Sequence, residues 1–259
     1  MGVVNVTPDS FSDGGRFLAP AAAVAQARRL VDAGAAIVDI GAESTRPGAA
    51  PVSEAEELRR LLPVLEALHD LAVPVSVDTR RSGVMRAVLD AGASMINDID
   101  ALTAPGALEA LAARDCAVCL MHKKGDPATM QEAPTYTDVV GEVKAYLAAR
   151  IAAAEAAGIA RERIVADVGF GFGKTVAHNL TLLARLAEFA SLGVPLAAGL
   201  SRKSTLGHLT GRPVGERLAA SLAAALLAVQ GGAKILRVHD VAETRDVLAL
   251  WLAVQDERT

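Results

Sequence analysis

Eight short apolar runs in this chain each end in residues able to do chemistry: Asn5, Glu43 with Ser44, Asp78, Asn97 with Asp98, His122, Asp167, Ser201 through Lys203, and Arg237 with His239. A single polar strand end is ordinarily a cap or a satisfied turn residue. Eight out of eight is hard to assign that way. Arg237 and His239, together with Lys203 and Arg46, make a cationic site in an acidic protein, the arrangement that meets an anionic ligand.

Bland readings account for most other motifs. GFGFGKT (169 to 175) invites a nucleotide P-loop, because a glycine-rich turn presents backbone amides to phosphate. Its spacing is wrong. Val168 stands where the Walker pattern needs glycine, and GxGxG is not the dinucleotide GxGxxG. What remains is a flexible strand-to-helix turn, compatible with Asp167 just before it serving a ligand. Cys116 and Cys119 form a CxxC, but strand positions three apart face opposite sides, and no second CxxC or HxxxH accompanies them. They are expected in the core. His69, His178 and His208 read as surface or capping residues, while His122 stays open between a functional and a structural role. Tyr136, Tyr146, Phe189 and Trp251 fall in helical patterns as core or interface residues, and Trp251, in the apolar LALWLAV, is a candidate for a dimer contact.

The elements that must position these residues alternate. Strand candidates are VVNV (3 to 6), AIVDIGA (36 to 42), VPVSVDT (73 to 79), SMINDI (94 to 99), AVCLMH (117 to 122), RIVADVG (163 to 169), PLAAGLS (195 to 201) and KILRVH (234 to 239). Helical periodicity covers 20 to 33, 53 to 71, 81 to 91, 105 to 114, 136 to 157, 177 to 190, 213 to 230 and 240 to 254. Gly34, Gly92, Gly158 and Gly193 stand where left-handed helix C-caps are expected. Eight βα units without a linker predict one α/β domain over residues 1–259, a (β/α)8 TIM barrel whose active site lies at the carboxyl ends of the strands. NVTPDSFSDGG (5 to 15) and GAESTRPGAAPVS (41 to 53) exceed the roughly 2 to 6 residues of ordinary βα loops and suggest lids. RVHDV (237 to 241) ends strand eight, where this fold often binds phosphate.

Of the 259 residues, 52% are hydrophobic and the net charge is −4, which argues against a chain built to coat nucleic acid or an anionic membrane. Charges interrupt the apolar stretches before the roughly 20 residues of a membrane span. The opening MGVVNVTPDS has no secretory pattern, so a cytoplasmic location is expected. Two cysteines give no disulfide framework. Arg supplies 20 of the 26 basic residues, a bias that fits genome composition and heat adaptation alike.

From Met1 to about residue 245 the chain resembles the dihydropteroate synthase family. NVTPDSFSDGG and GAESTRPG are similar to its first two signatures. SVDT, INDI, LMHKKGDPATMQ, GFGFGKT, GLSRKS and RVHDV follow in family order at successive strand ends. The resemblance implies condensation of 6-hydroxymethyl-7,8-dihydropterin pyrophosphate with p-aminobenzoate, through an SN1-like pterin cation, to give 7,8-dihydropteroate and pyrophosphate in folate biosynthesis. It implies a homodimer and a sulfonamide target. It places Asp78, Asn97, Asp167 and Lys203 around the pterin, and Asn5, Arg237 and His239 around the pyrophosphate, with Mg²⁺ near Asn5. Thr45, Arg46, Phe172, Ser201 and Lys203 would shape the p-aminobenzoate site. Lys203, Arg237, His239 and Asp78 are the expected catalytic residues.

Physical chemistry fits those roles. A pterin edge presents NH and NH₂ beside a carbonyl, so a buried carboxylate such as Asp167 accepts two hydrogen bonds while Asn and Lys serve the remaining acceptors. Negative charge grows on the leaving pyrophosphate, where Arg237, His239 and magnesium stabilise departure. Arg237→Ala is expected to impair pyrophosphate binding with the fold intact, and p-aminobenzoate is expected to bind appreciably only after pyrophosphate. Three departures stand out. Val168 replaces the proline of many relatives, Lys123 stands where methionine is common and either stays solvated or touches the ligand, and the chain starts directly on strand one, which would leave the lower end of the barrel without its cover. The competing readings are a pterin-binding methyltransferase barrel and a non-catalytic pterin-binding paralogue.

Overall fold

The computed structural model describes residues 1–6, 18–43, 52–126 and 129–257. Ser44, Thr45, Arg46 and most of both expected lids lie outside the described residues.

Among the described residues, eight strands form one parallel sheet in chain order: β1 (Gly2–Asn5), β2 (Val38–Gly41), β3 (Val75–Asp78), β4 (Met95–Asp98), β5 (Ala117–Met121), β6 (Ile164–Asp167), β7 (Leu196–Ala198) and β8 (Ala233–Leu236). The sheet curls strongly enough that Val238, just past β8, bridges Gly2 in parallel. The Val3 N–H donates to the Val238 carbonyl at 3.1 Å, and the Val238 N–H donates to the Met1 carbonyl at 2.9 Å.

Strands this short and this buried suit a parallel sheet covered on both faces. β2, β4 and β6 are buried throughout. One face packs on the helices in the main core, with Val38, Ile40, Val77, Ile96, Val118, Leu120 and Ile164. The other face, inside the curl, packs Met95, Cys119, Val165 and Ala197 with Met1, Ala117 and Ile235. Cys116 belongs to the outer core and Cys119 to the inner one, and both are free, as the spacing predicts.

The predicted strands are all present; β1 is shifted by one residue and the others are shorter. Asn5, Asp78, Asn97, Asp98 and Asp167 remain paired at the ends of their strands, whereas His122, Ser201, Arg237 and His239 fall past theirs. PLAAGLS (195 to 201) contracts to β7, with a register shift against β8 between Leu196 and Ala197. Nine α-helices occur among the described residues: α1 (Leu18–Asp32), α2 (Glu54–Ala67), α3 (Ser82–Asp90), α4 (Ala107–Ala112), α5 (Val139–Ala156), α6 (Val176–Ala184), α7 (Ser204–Thr210), α8 (Leu218–Gln230) and α9 (Val241–Asp256). Periodicity misses α7, because its polar STLGHLT carries no apolar stripe. It also joins separate pieces. The predicted 177 to 190 is α6 followed by a 3-10 turn at Leu186–Leu192, and 213 to 230 is a 3-10 turn at Val214–Glu216 followed by α8. Tyr136 precedes α5 instead of lying within it. Gly34, Gly92, Gly158 and Gly193 all take the expected positive φ.

Candidate active site

Side chains alternate between the two faces along each strand. Asn97, Asp167 and Arg237 lie two residues beyond Met95, Val165 and Ile235 of the inner core, so they share its face at the carboxyl end of the sheet. The parallel register aligns Asn5 with Gly41, Gly41 with Asp78, and Asp78 with Asn97.

Arg237 is the hub. Its Nε donates to Asp39 Oδ2 at 2.6 Å and its Nη2 to Asp78 Oδ2 at 3.0 Å. The same Asp39 oxygen accepts from Asn97 Nδ2 at 3.3 Å. Burial raises the Asp78 carboxyl, with Arg237 opposing the shift, while the two carboxylates hold the guanidinium above its usual range despite burial. Asp167 is also raised by burial; its Oδ1 accepts from the Gly169 N–H at 2.7 Å. Beside it, burial brings the Lys203 ammonium down to about 8 against the pull of Asp167. Lys203 Nζ donates to the Phe170 carbonyl and stands 4.6 Å from the centre of the Phe172 ring, a cation–π contact. Ser201 Oγ lies 3.0 Å from His239 Nδ1 and accepts from the His239 N–H at 3.2 Å, which joins the ends of β7 and β8. Asn5 ends β1, half-buried.

The GFGFGKT segment is a held loop, not the flexible turn its glycines suggest. Asp167 takes the Gly169 N–H, Asn179 Oδ1 takes the Gly171 N–H at 2.8 Å, and Tyr136 donates to the Gly173 carbonyl at 2.8 Å. Gly169 and Gly173 have positive φ, and a Cβ on either would overlap the carbonyl oxygens of His122 and Lys124. Only glycine fits that approach. Buried Lys174 completes the loop by donating to the Phe172 carbonyl at 3.0 Å and sitting 2.9 Å from His122 Nδ1. Burial, reinforced by Lys174, brings His122 down to about 3, and Tyr146 packs edge-on against its ring. His122 is therefore a neutral structural residue that anchors the loop.

Several other strand-end residues support the site from outside it. Asp98 accepts the N–H groups of Asp100 at 2.8 Å and Leu102 at 2.7 Å, shaping its own turn. Lys123 is part-exposed and pairs with Asp100 at 2.8 Å. Glu43 pairs with Arg81 at 2.7 Å and Arg80 at 3.3 Å, and Arg81 also donates to Glu57 and to the Val52 carbonyl at 2.5 Å each. Val168 is fully buried in the outer core and leaves Asp167 in place. His178 caps α6 with Thr175, as expected of a capping histidine.

Asp39 is the residue that sequence reading missed. The available signal was a charged residue in the middle of the apolar AIVDIGA, where neither a cap nor a turn accounts for it.

The inner face of the parallel sheet thus ends in carboxylates, an amide, an ammonium and a guanidinium, and residues 1–239 match the family described as pterin binding enzyme. The dihydropteroate synthase of Escherichia coli strain K12 is 53% identical over 249 residues, covering 96% of this chain and 88% of that one. A structure of Xanthomonas albilineans dihydropteroate synthase with 4-aminobenzoic acid is similar at a TM-score of 0.94 and 55% identity, covering 98% of this chain and 92% of that one. The same enzyme in complex with 7,8-dihydropteroate is similar at a TM-score of 0.90 and 52% identity, with the same coverage. The chain belongs to the dihydropteroate synthase family of pterin-binding enzymes.

Proposed function

We propose that this protein condenses 6-hydroxymethyl-7,8-dihydropterin pyrophosphate with p-aminobenzoate to form 7,8-dihydropteroate and pyrophosphate. The observation that carries this reading is the hydrogen-bonded set of Asp78, Arg237, Asp39 and Asn97 at one end of the inner face. Asp78, Asn97, Asp167 and Lys203 hold the pterin edge, Asn5, Arg237 and His239 hold the pyrophosphate, and Phe172, Ser201 and Lys203, with Thr45 and Arg46, form the p-aminobenzoate wall.

The C–O bond between the pterin methylene and pyrophosphate breaks, and its electron pair leaves with the phosphate. The amine lone pair of p-aminobenzoate then closes on the methylene cation, and the released proton passes to solvent. Arg237 and His239 stabilise the charge that grows on departure, so they favour the transition state over bound substrate. The half-buried Asn5 side chain at the end of β1 offers one amide oxygen of the hard-donor kind a magnesium ion takes. No cluster of three or more His, Cys, Asp or Glu suited to a metal occurs among the described residues, and Mg²⁺ commonly takes one or two protein oxygens plus phosphate and water. Held by Asn5, Mg²⁺ would supply charge neutralisation at the pyrophosphate.

The bridge from Val238 to Gly2 supports closure of the sheet into a (β/α)8 TIM barrel, read as a single domain over residues 1–259. Exposed Leu227 on α8 and Leu250, Leu252 and Val254 on α9 support a homodimer built on those helices, near half-buried Trp251. No helix among the described residues is long and apolar enough to cross a membrane.

Pyrophosphate release with both substrates tests the reaction. Release that requires p-aminobenzoate supports it, and pterin binding without release points to the non-catalytic alternative. Two further outcomes are expected. A pterin contact to the Lys203 ammonium should weaken about tenfold per pH unit once the pH passes about 8, as the donor deprotonates. Affinity for a pterin analogue that is flat up to about pH 9.5 would remove Lys203 from that contact. Second, p-aminobenzoate should bind appreciably only with pyrophosphate and Mg²⁺ present, because the two expected subsites adjoin, Ser201 Oγ lying 3.0 Å from His239 Nδ1, so that a bound anion completes one edge of the aromatic acid's site. Equal affinity with and without pyrophosphate, by titration calorimetry, would mean that the pocket is preformed.

A further inference from the structure

Asp39 has no exposed surface, yet it stands in the middle of β2 among Val38, Ile40 and the inner face of the sheet. A carboxylate there costs several kcal/mol of desolvation unless its partners hold it well. Its bonding is lopsided. Oδ2 accepts from both Arg237 Nε and Asn97 Nδ2, while Oδ1 is buried with no hydrogen-bond partner among the described residues. Ser76, opposite Asp39 in the β2–β3 register, has a hydroxyl in the same condition. The load on Asp39 is therefore concentrated on one oxygen, which ties a residue of the pyrophosphate end to a residue of the pterin end.

We propose that Asp39 is a positioning residue whose single oxygen sets Arg237 and Asn97 in register, so that the pterin and its leaving group are held as one unit. The proposal rests on the reading that Arg237 meets the pyrophosphate. Asp39 lies one layer below the strand ends and works through its two partners. Without it, the Arg237 guanidinium keeps only Asp78, which grips Nη2 and leaves the Nε side free to swing. Asn97 loses the acceptor that fixes which of its amide atoms faces the ring.

The direction of the effect separates positioning from simple electrostatics. Asp39 is a negative charge near an anion site, so removing it should strengthen pyrophosphate binding if charge alone matters. Positioning predicts the reverse. The test measures pyrophosphate and pterin-analogue affinities by calorimetry in Asp39→Ala, Asp39→Asn, Arg237→Ala and the Asp39→Ala/Arg237→Ala double variant, with thermal melts to establish folding. Asp39→Ala should lose about tenfold in pyrophosphate affinity, the worth of one hydrogen bond between charged groups, and should weaken the pterin analogue as well. Asp39→Asn retains an acceptor oxygen and should recover most of the loss, with its amide nitrogen directed to the Ser76 side.

In the Arg237→Ala background there is no guanidinium left to position, so removing Asp39 should leave pyrophosphate affinity unchanged or raise it. Tighter or unchanged pyrophosphate binding in a folded Asp39→Ala single variant, with Arg237→Ala weakened, overturns the proposal. An equal loss on removing Asp39 in both backgrounds overturns it too, because the effect then does not pass through Arg237. If Arg237→Ala itself leaves pyrophosphate affinity intact, the assignment of Arg237 fails and the proposal falls with it, by a signature distinct from the other two.

Discussion

Arg237→Ala is expected to lose about 3 to 5 kcal/mol of folding stability at neutral pH, the cost typical of removing one partner from a buried ion pair. Sequence reading expects the fold to be untouched, because the residue ends a strand. The structure revises that, since the guanidinium separates Asp39 from Asp78 and is bonded to both. Its removal leaves two carboxylates close together in a buried setting. The deficit should depend on pH. Burial already raises the Asp78 carboxyl above its ordinary 3.8, so the folded state binds more protons than the unfolded chain between those two values. Stability from this group is then fully present below the unfolded value and lost as pH rises through the folded one. Without the arginine the folded value moves above the wild type's, which burial puts at about 7, so the gap between variant and wild type should stay constant below about pH 6 and widen from about pH 7 to about pH 9 in urea titrations. A gap constant across that range would mean that the two carboxylates do not feel the missing charge. Pyrophosphate affinity, measured where the variant is still folded, should fall on the order of ten- to a hundredfold, from the loss of about 1.5 to 3 kcal/mol.

Asp167→Asn should have the opposite balance, with little cost in stability and a large cost in binding. The carboxylate is buried and its acid form is favoured by burial, so a neutral amide removes a charge that the fold does not need. The hydrogen bonding explains the cost. Oδ1 is committed to the Gly169 N–H, and the second oxygen has no protein partner among the described residues, which leaves it for the donors of a pterin edge. An asparagine satisfies only one of these. If its oxygen keeps Gly169, its NH₂ faces the ring's own donors; if it turns over, the NH₂ opposes the Gly169 N–H and disturbs the held loop. Either way an accepting bond to a charged group is lost, about 1.5 to 3 kcal/mol, or ten- to a hundredfold in affinity for a pterin analogue. Unchanged analogue affinity in the Asn variant would make Asp167 a turn residue, serving only the loop.

Much of this protein is legible along the chain. The alternation of short β-branched runs with Ala- and Leu-rich stretches is local, and it carries the order and direction of all eight strands. The polar strand ends are local too, because in a parallel sheet with crossover helices every carboxyl end must face the same side. Even the core placement of the CxxC follows from a strand's period of two. What the linear pattern does not contain is which of these ends meet. Lys123 and His122 sit at the end of the same strand, but one is taken by Asp100 and the other by Lys174, and nothing near them in sequence announces either partner. α7 escapes notice because a short polar helix held by its neighbours needs no apolar stripe. Arg237 reads as a free cation for an anionic ligand until the curl of the sheet brings it against Asp39, 198 residues away in the chain, and against Asp78, 159 residues away. Periodicity assigns each side chain to a face, whereas pairing across the inner face is set by the curl, and ionic contacts depend on those distances.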